Sequence, residues 1–158
     1  MKPKTLLFVC TGNTCRSPMA EIMCNAMIDD DPRFQQASWR ATSAGLQVFR
    51  AEGISENAAK ALANRGLLSA DHLSRQLDED ELARASLVLT MTAAQRDMLR
   101  EYFPEEAEKV FSLKEFAGEE GDVLDPYGGP PAVYERTAQE LEGLVRAVLE
   151  RLSAQGQA

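Results

Sequence analysis

The chain has 158 residues, a formal charge of −8, 44% hydrophobic residues and 27% charged ones. That length and mix support one domain with a sizeable core, and the acidic balance argues against a nucleic-acid partner, which calls for a basic patch. The apolar run Leu6–Val9 is too short for a signal peptide or a membrane span. No other long apolar stretch exists, so no membrane partner and a cytoplasmic location are expected. The odd set of Cys10, Cys15 and Cys24, crowded near the start, does not suit a secreted disulfide framework. It leaves a catalytic thiol, a metal ligand or packing.

Thr5–Val9 is a continuous apolar run that suits a strand buried on both faces. Ser17 is placed to cap a helix with Pro18 at its first position. Met19, Ile22, Met23 and Ala26 then recur at helical spacing, and 29–32 ends the pattern. Ser38–Thr42 reads as a weaker strand, followed by Ser43-Ala44-Gly45. Ser55 caps a helix expected to reach Arg65 and stop at Gly66. Asp78 and Glu81 resemble a capping box before a short helix to about Ala85. Ser86–Met91 is the clearest internal strand. Thr92 and Gln95 form a second capping box, opening a helix that carries Met98, Leu99 and Tyr102 on one face until Pro104. Lys109–Leu113 is a fourth strand. A long acidic, glycine-containing loop is expected from Lys114 to Gly129, of the length that tends to be functional or disordered. After Pro130-Pro131 a long helix shows Leu141, Leu144, Val145, Val148, Leu149 and Leu152, and the tail from about 154 to 158 is expected to fray.

Strands interleaved with helices imply right-handed βαβ units and a parallel sheet in one α/β domain. Sites in such sheets form beyond the carboxyl ends of the strands, where Cys10 lies. The segment CTGNTCRS, residues 10–17, has the chemistry of an anion cradle. Thr11, Gly12, Asn13, Thr14 and Cys15 supply backbone N–H groups, and Gly12 permits close approach. A helix N-terminus follows. Arg16 adds a planar fork for two phosphate oxygens. The same groups favour a thiolate at Cys10. No lysine stands in the turn, so this is not a Walker loop.

CTGNTCRS resembles the C-x5-R-S loop of the low-molecular-weight protein tyrosine phosphatase family. LDPYGG at 124–129 is similar to that family's late Asp-Pro motif, with weaker matches in TSAGL at 42–46 and DHLSRQL at 71–77. The resemblance covers nearly the whole chain and implies a three-layer α/β fold, a four-stranded parallel sheet flanked by helices. It implies Cys10 as nucleophile, passing through a phosphocysteine, with Arg16 and the loop amides stabilising the transferring group. Asp125 would act as general acid and then base, with Pro126 holding it extended. Ser17 would support the thiolate, and Asn13, Ser43 and His72 would form a hydrogen-bond network around the loop. Tyr127 would line the cleft mouth. Cys15 would capture an oxidised Cys10 as a disulfide, and Cys24 would pack. No cofactor and no metal are implied.

Thr14 bears on the substrate. Tyrosine-specific members usually carry a bulky aliphatic residue there, whereas members resembling protein arginine phosphatases carry threonine and a motif close to DPYGG. The resemblance therefore favours phosphoarginine on protein over phosphotyrosine. Arsenate reduction is a distant alternative, since no cysteine follows Cys24 to relay a disulfide. A zinc site of the three cysteines and His72 has unsuitable spacing and an opposing Arg16. A non-catalytic phosphate-binding module would have no use for Asp125.

Overall fold

The computed structural model describes residues 3–34, 36 and 38–157. Its elements in chain order are β1 (Lys4–Cys10), α1 (Arg16–Asp30), β2 (Trp39–Gly45), α2 (Glu56–Ala63), α3 (Glu79–Arg84), β3 (Leu87–Thr90), α4 (Ala93–Tyr102), β4 (Val110–Ser112), α5 (Leu113–Ala117) and α6 (Pro131–Ala154), with 3-10 turns at Pro32–Phe34 and Pro104–Lys109. The four strands form one parallel sheet in the order β2-β1-β3-β4.

The uninterrupted apolar run of β1 is explained by its central place. Leu6 and Phe8 face a core built with α1, α2, α5 and α6, while Leu7 and Val9 face a second core with Leu82 of α3 and Leu99 of α4. All four side chains are fully buried. Each such burial is worth about 1.5–3 kcal/mol relative to exposure. The chain leaves β1 toward β2 on one side and reaches β3 on the other. A crevice therefore opens beyond the carboxyl ends of β1 and β3, where the order reverses.

Several sequence expectations shift. α1 starts at Arg16 with Cys15 at the N-cap and no side-chain cap, so Ser17 is not the cap. Its hydroxyl is drawn to Cys10 and Asn13 instead. Ile22 and Ala26 are only partly covered, and the buried stripe runs through Met19, Ala20, Met23, Cys24 and Ile28. β2 extends through Ser43-Ala44-Gly45 because it pairs with β1 along its full length. α2 stops at Ala63, ahead of Gly66, which adopts a left-handed φ of 74°. In α4 only Gln95 and Leu99 are buried, so of the expected apolar face Leu99 alone joins the core while Met98 and Tyr102 lie exposed. Lys109 ends a 3-10 turn and Leu113 opens α5, which shortens the fourth strand to Val110–Ser112. The long loop is partly helical: Ser112 and Glu115 make a capping box that starts α5, and Gly118, left-handed at 88°, stops it. All six of the apolar residues expected on α6 are buried. The tail does not hang free through Gln157, whose carbonyl accepts from the Trp39 indole at 2.7 Å; Ala158 lies outside the described residues. Among the described residues no helix is long and apolar enough to cross a membrane.

Candidate active site

β1 delivers Cys10 to the crevice, and the next five residues turn tightly into α1. Asn13 makes that turn possible. Its backbone is left-handed, with φ of 57°, a conformation that asparagine tolerates better than most residues. Every polar atom of its side chain is used. Nδ2 donates to Ser17 Oγ at 2.8 Å and Ser43 Oγ at 2.9 Å, and Oδ1 accepts from the Arg75 N–H at 3.1 Å. The Asn13 carbonyl accepts from His72 Nε2 at 2.8 Å, which puts a hydrogen on Nε2 and makes His72 a structural donor. Ser43 in turn donates to Glu21 Oε1 at 2.6 Å. Asn13, Ser17, Ser43 and His72 thus meet around the loop.

The sulfur of Cys10 sits at the focus of this network. It accepts the Asn13 N–H at 3.2 Å and lies 2.8 Å from Ser17 Oγ. Because Ser17 Oγ already accepts from Asn13, its own hydrogen is available for the sulfur. Two hydrogen-bond donors thus converge on one sulfur. No side chain caps the first turn of α1, which leaves its N–H groups and dipole for an anion.

Arg16, only 5% exposed, joins this loop to a distant part of the chain. Its Nη1 donates to the Val123 carbonyl at 2.8 Å, and its Nη2 stands 3.7 Å from Asp125 Oδ2. Asp125 is half exposed, and its Oδ1 accepts from the Tyr127 N–H at 3.1 Å in a local turn. Tyr127 itself is 80% exposed beside it. Gly129 N–H closes the same turn on the Pro126 carbonyl at 2.8 Å. A carboxylate, a guanidinium and a thiol from opposite ends of the sequence therefore surround one cradle.

The rest of the loop is braced from outside. Leu46 and Gln47 donate their N–H groups to the Cys10 and Thr11 carbonyls, and Ser55 N–H donates to the Thr14 carbonyl. Gly45 is required by proximity: a Cβ there would meet the Thr11 carbonyl at 2.8 Å and Val48 at 2.6 Å. Gly12 and Thr14 open onto a cleft of about 440 Å³ walled by Val48, Phe49, Arg50 and Ser74. Cys15 turns toward Ser55 Oγ at 3.2 Å and the Tyr134 hydroxyl at 3.8 Å. Burial, and then the neighbouring Cys15, push the Tyr134 phenol up. Cys24 is fully buried on α1 and its thiol is pushed up to about 12, chiefly by that burial. Among the described residues no three His, Cys, Asp or Glu side chains are placed to share a metal ion.

Four contributors carried no signal as site residues in the sequence reading. Glu21 lies in an ordinary helical stretch, Arg75 and Val123 act through backbone atoms, and Gln95 looks like a helix cap while its Nε2 also donates to Thr11 Oγ1 at 3.0 Å.

Comparison with known proteins identifies the family. The model of the family described as low molecular weight phosphotyrosine protein phosphatase matches residues 5–158. A protein-arginine-phosphatase of Geobacillus stearothermophilus is 42% identical over 97% of this chain and 99% of its own. The crystal structure of a low molecular weight protein tyrosine phosphatase from T. tengcongensis is 43% identical, covers 94% of this chain and 99% of its own, and superposes with a TM-score of 0.88. A third structure, an arginine phosphatase with serine in place of its active-site cysteine and that serine phosphorylated, is 36% identical over 94% of this chain and 95% of its own, at a TM-score of 0.85. With the family model spanning nearly the whole sequence, the chain belongs to the low molecular weight phosphotyrosine protein phosphatase family.

Proposed function

We propose that residues 1–158 form one cytoplasmic phosphatase domain that removes the phosphoryl group from phosphoarginine on proteins, with Cys10 as nucleophile. The observation that carries the reading is the Cys10 sulfur held by the Asn13 N–H and Ser17 hydroxyl at the head of α1, beside buried Arg16 and the Asp125 carboxyl. The thiolate attacks phosphorus, the P–S bond forms, and the P–N bond to the guanidine breaks. Asp125 gives its proton to the departing nitrogen. Water then attacks phosphorus, Asp125 takes its proton, and the P–S bond breaks with Ser17 donating to the released sulfur. Arg16 and the N–H groups of Thr11, Gly12, Thr14 and Cys15 hold the equatorial oxygens throughout, while the Asn13 N–H stays on the sulfur. These steps draw on no metal and no cofactor.

Two features support the guanidine substrate. Thr14 gives the cleft beside Gly12 a small polar wall, and a 42% identical relative is a protein-arginine-phosphatase. Phosphotyrosine is the second reading, supported by the tyrosine phosphatase from T. tengcongensis, and there a P–O bond breaks to the phenol. Turnover of phosphoarginine, phosphotyrosine and phosphoserine peptides by the parent, with Cys10→Ser as the inactive control, separates them. Phosphoarginine is expected to show the highest kcat/KM; faster phosphotyrosine turnover would overturn the choice. Thr14→Ile is expected to lower phosphoarginine turnover and raise that of phosphotyrosine. Unchanged values for both would remove Thr14 from the selectivity argument.

A further inference from the structure

Gln95 stands at the third position of α4 and is 8% exposed. Its Oε1 accepts from the Met91 N–H at 3.0 Å and the Thr92 N–H at 3.1 Å. Two backbone donors fix which end of the amide is oxygen. The NH2 end is thereby aimed across the crevice, where it donates to Thr11 Oγ1 at 3.0 Å. Thr11 follows Cys10 directly, and its carbonyl is held from the other side by the Gln47 N–H at 2.9 Å.

A helix cap alone does not explain the choice of residue. The capping box works with glutamate or glutamine, since only the side-chain oxygen is used. Only the amide can also donate to the threonine hydroxyl, and only the amide does so without placing a negative charge beside an anion cradle. Thr11 is branched at Cβ, so holding Oγ1 holds its χ1 and steadies the backbone at the first bend of the loop.

We infer that Gln95 is a positioning residue for the phosphoryl site, joining the head of α4 to Thr11 of the anion loop and keeping a carboxylate out of that place. The inference rests on the phosphatase reading of the loop and deepens it. Gln95 touches no reacting atom; it acts through Thr11 on the amides that receive the phosphoryl oxygens.

The test uses the full chain with Gln95→Glu, Thr11→Val, Thr11→Ser and the double variant Gln95→Glu/Thr11→Val. The readouts are kcat and KM for p-nitrophenyl phosphate, the inhibition constant of inorganic phosphate, and the melting temperature. Gln95→Glu keeps the capping box and is expected to melt within about 3 °C of the parent. Its KM and its phosphate inhibition constant rise about tenfold, more than kcat falls, because a donor is lost and a negative charge is added. Thr11→Val weakens phosphate about threefold to tenfold, and Thr11→Ser restores the parent value. The effect of Gln95→Glu shrinks at least about threefold in the Thr11→Val background, since the contact it works through is already gone. Equal effects in both backgrounds would leave only the added charge and overturn the positioning through Thr11, and parent-like phosphate binding in Thr11→Val would reduce Gln95 to a helix cap. The Thr11 pair leaves α4 untouched and decides the matter even if Gln95→Glu melts early. A parent that neither turns over the ester nor binds phosphate removes the reading of the site, and this inference with it.

Discussion

At the scale of single residues, the centre depends on a few atoms that have no substitutes. Asn13 is the clearest case. It supplies a left-handed backbone, an N–H to the Cys10 sulfur and three side-chain hydrogen bonds, all from a fully buried position. Asp125 is the opposite case, half exposed and held by one local N–H and the fringe of Arg16. Its removal should touch chemistry rather than folding. Asp125→Asn is expected to lower kcat by about 10²- to 10⁴-fold for an alkyl or guanidine leaving group, and much less for p-nitrophenol, which departs without a proton. Steady-state rates for the two substrate types check this; equal losses would deny Asp125 the role of acid. Gly45 is constrained by space. Gly45→Ala forces a Cβ against the Thr11 carbonyl and Val48, and is expected to cost about 1–3 kcal/mol and to weaken phosphate binding through Thr11. Denaturant melts and phosphate inhibition measured together test both halves.

At the scale of elements, the helix starts differ in how they are capped. α4 and α5 begin with complete capping boxes, at Thr92 with Gln95 and at Ser112 with Glu115. α1 begins without a side-chain cap, as α2 and α6 do, and its first turn faces the sulfur and the anion cradle. A serine before a proline is the usual cap signal, and it predicts Ser17 at the cap. Only the tertiary contact with Cys10 and Asn13 diverts that hydroxyl. Beyond its other end, the turn that follows α1 is tied to α6 by charge. Arg33 reaches Asp31 at 2.8 Å and Glu150 at 2.6 Å. The Arg33 guanidinium is the largest cause holding both carboxyls below their ordinary values of 3.8 and 4.5. A carboxyl depressed by folding stabilises the fold fully above its ordinary value, and that contribution is lost as pH falls through its folded value. The pair is exposed and screened, so its effect is modest. Arg33→Ala should therefore melt slightly below the parent at about pH 6, with the two curves converging as the pH falls below the ordinary values of the two carboxyls. A gap that persists at the acid end would assign Arg33 a packing role instead.

For the whole molecule, the site is where two ends of the sequence meet. Arg16 holds the Val123 carbonyl and stands beside Asp125, so the loop after β1 and the segment before α6 are locked together only in the folded state. A ligand that fills the cradle should stabilise the entire domain. Inorganic phosphate at about 100 times its Kd is expected to add about 2.7 kcal/mol, a rise in Tm of about 5–10 °C for a chain of this size. Chloride at equal ionic strength should not reproduce it, and Arg16→Lys should shrink it because the ammonium lacks the fork. Calorimetry that finds the same shift with chloride would argue against a built anion site.

What the sequence determined by itself was local in origin: the buried run of β1, the apolar stripe of α6, the turn chemistry at Thr92, and a cysteine and arginine six apart at a strand end, which is geometry a short chain segment already constrains. Its motifs also carried Asp125, Asn13, Ser43 and His72, each through a string of neighbours rather than a lone residue. Only the tertiary structure decided what depended on partners far along the chain. Ser17 left the helix cap for the sulfur, Met98 and Tyr102 turned to solvent, Trp39 held Gln157, and Gln95 reached Thr11. The reason is physical: periodicity reports how a segment prefers to fold, whereas a hydrogen bond across 84 positions between Thr11 and Gln95 exists only after β1 and β3 have paired.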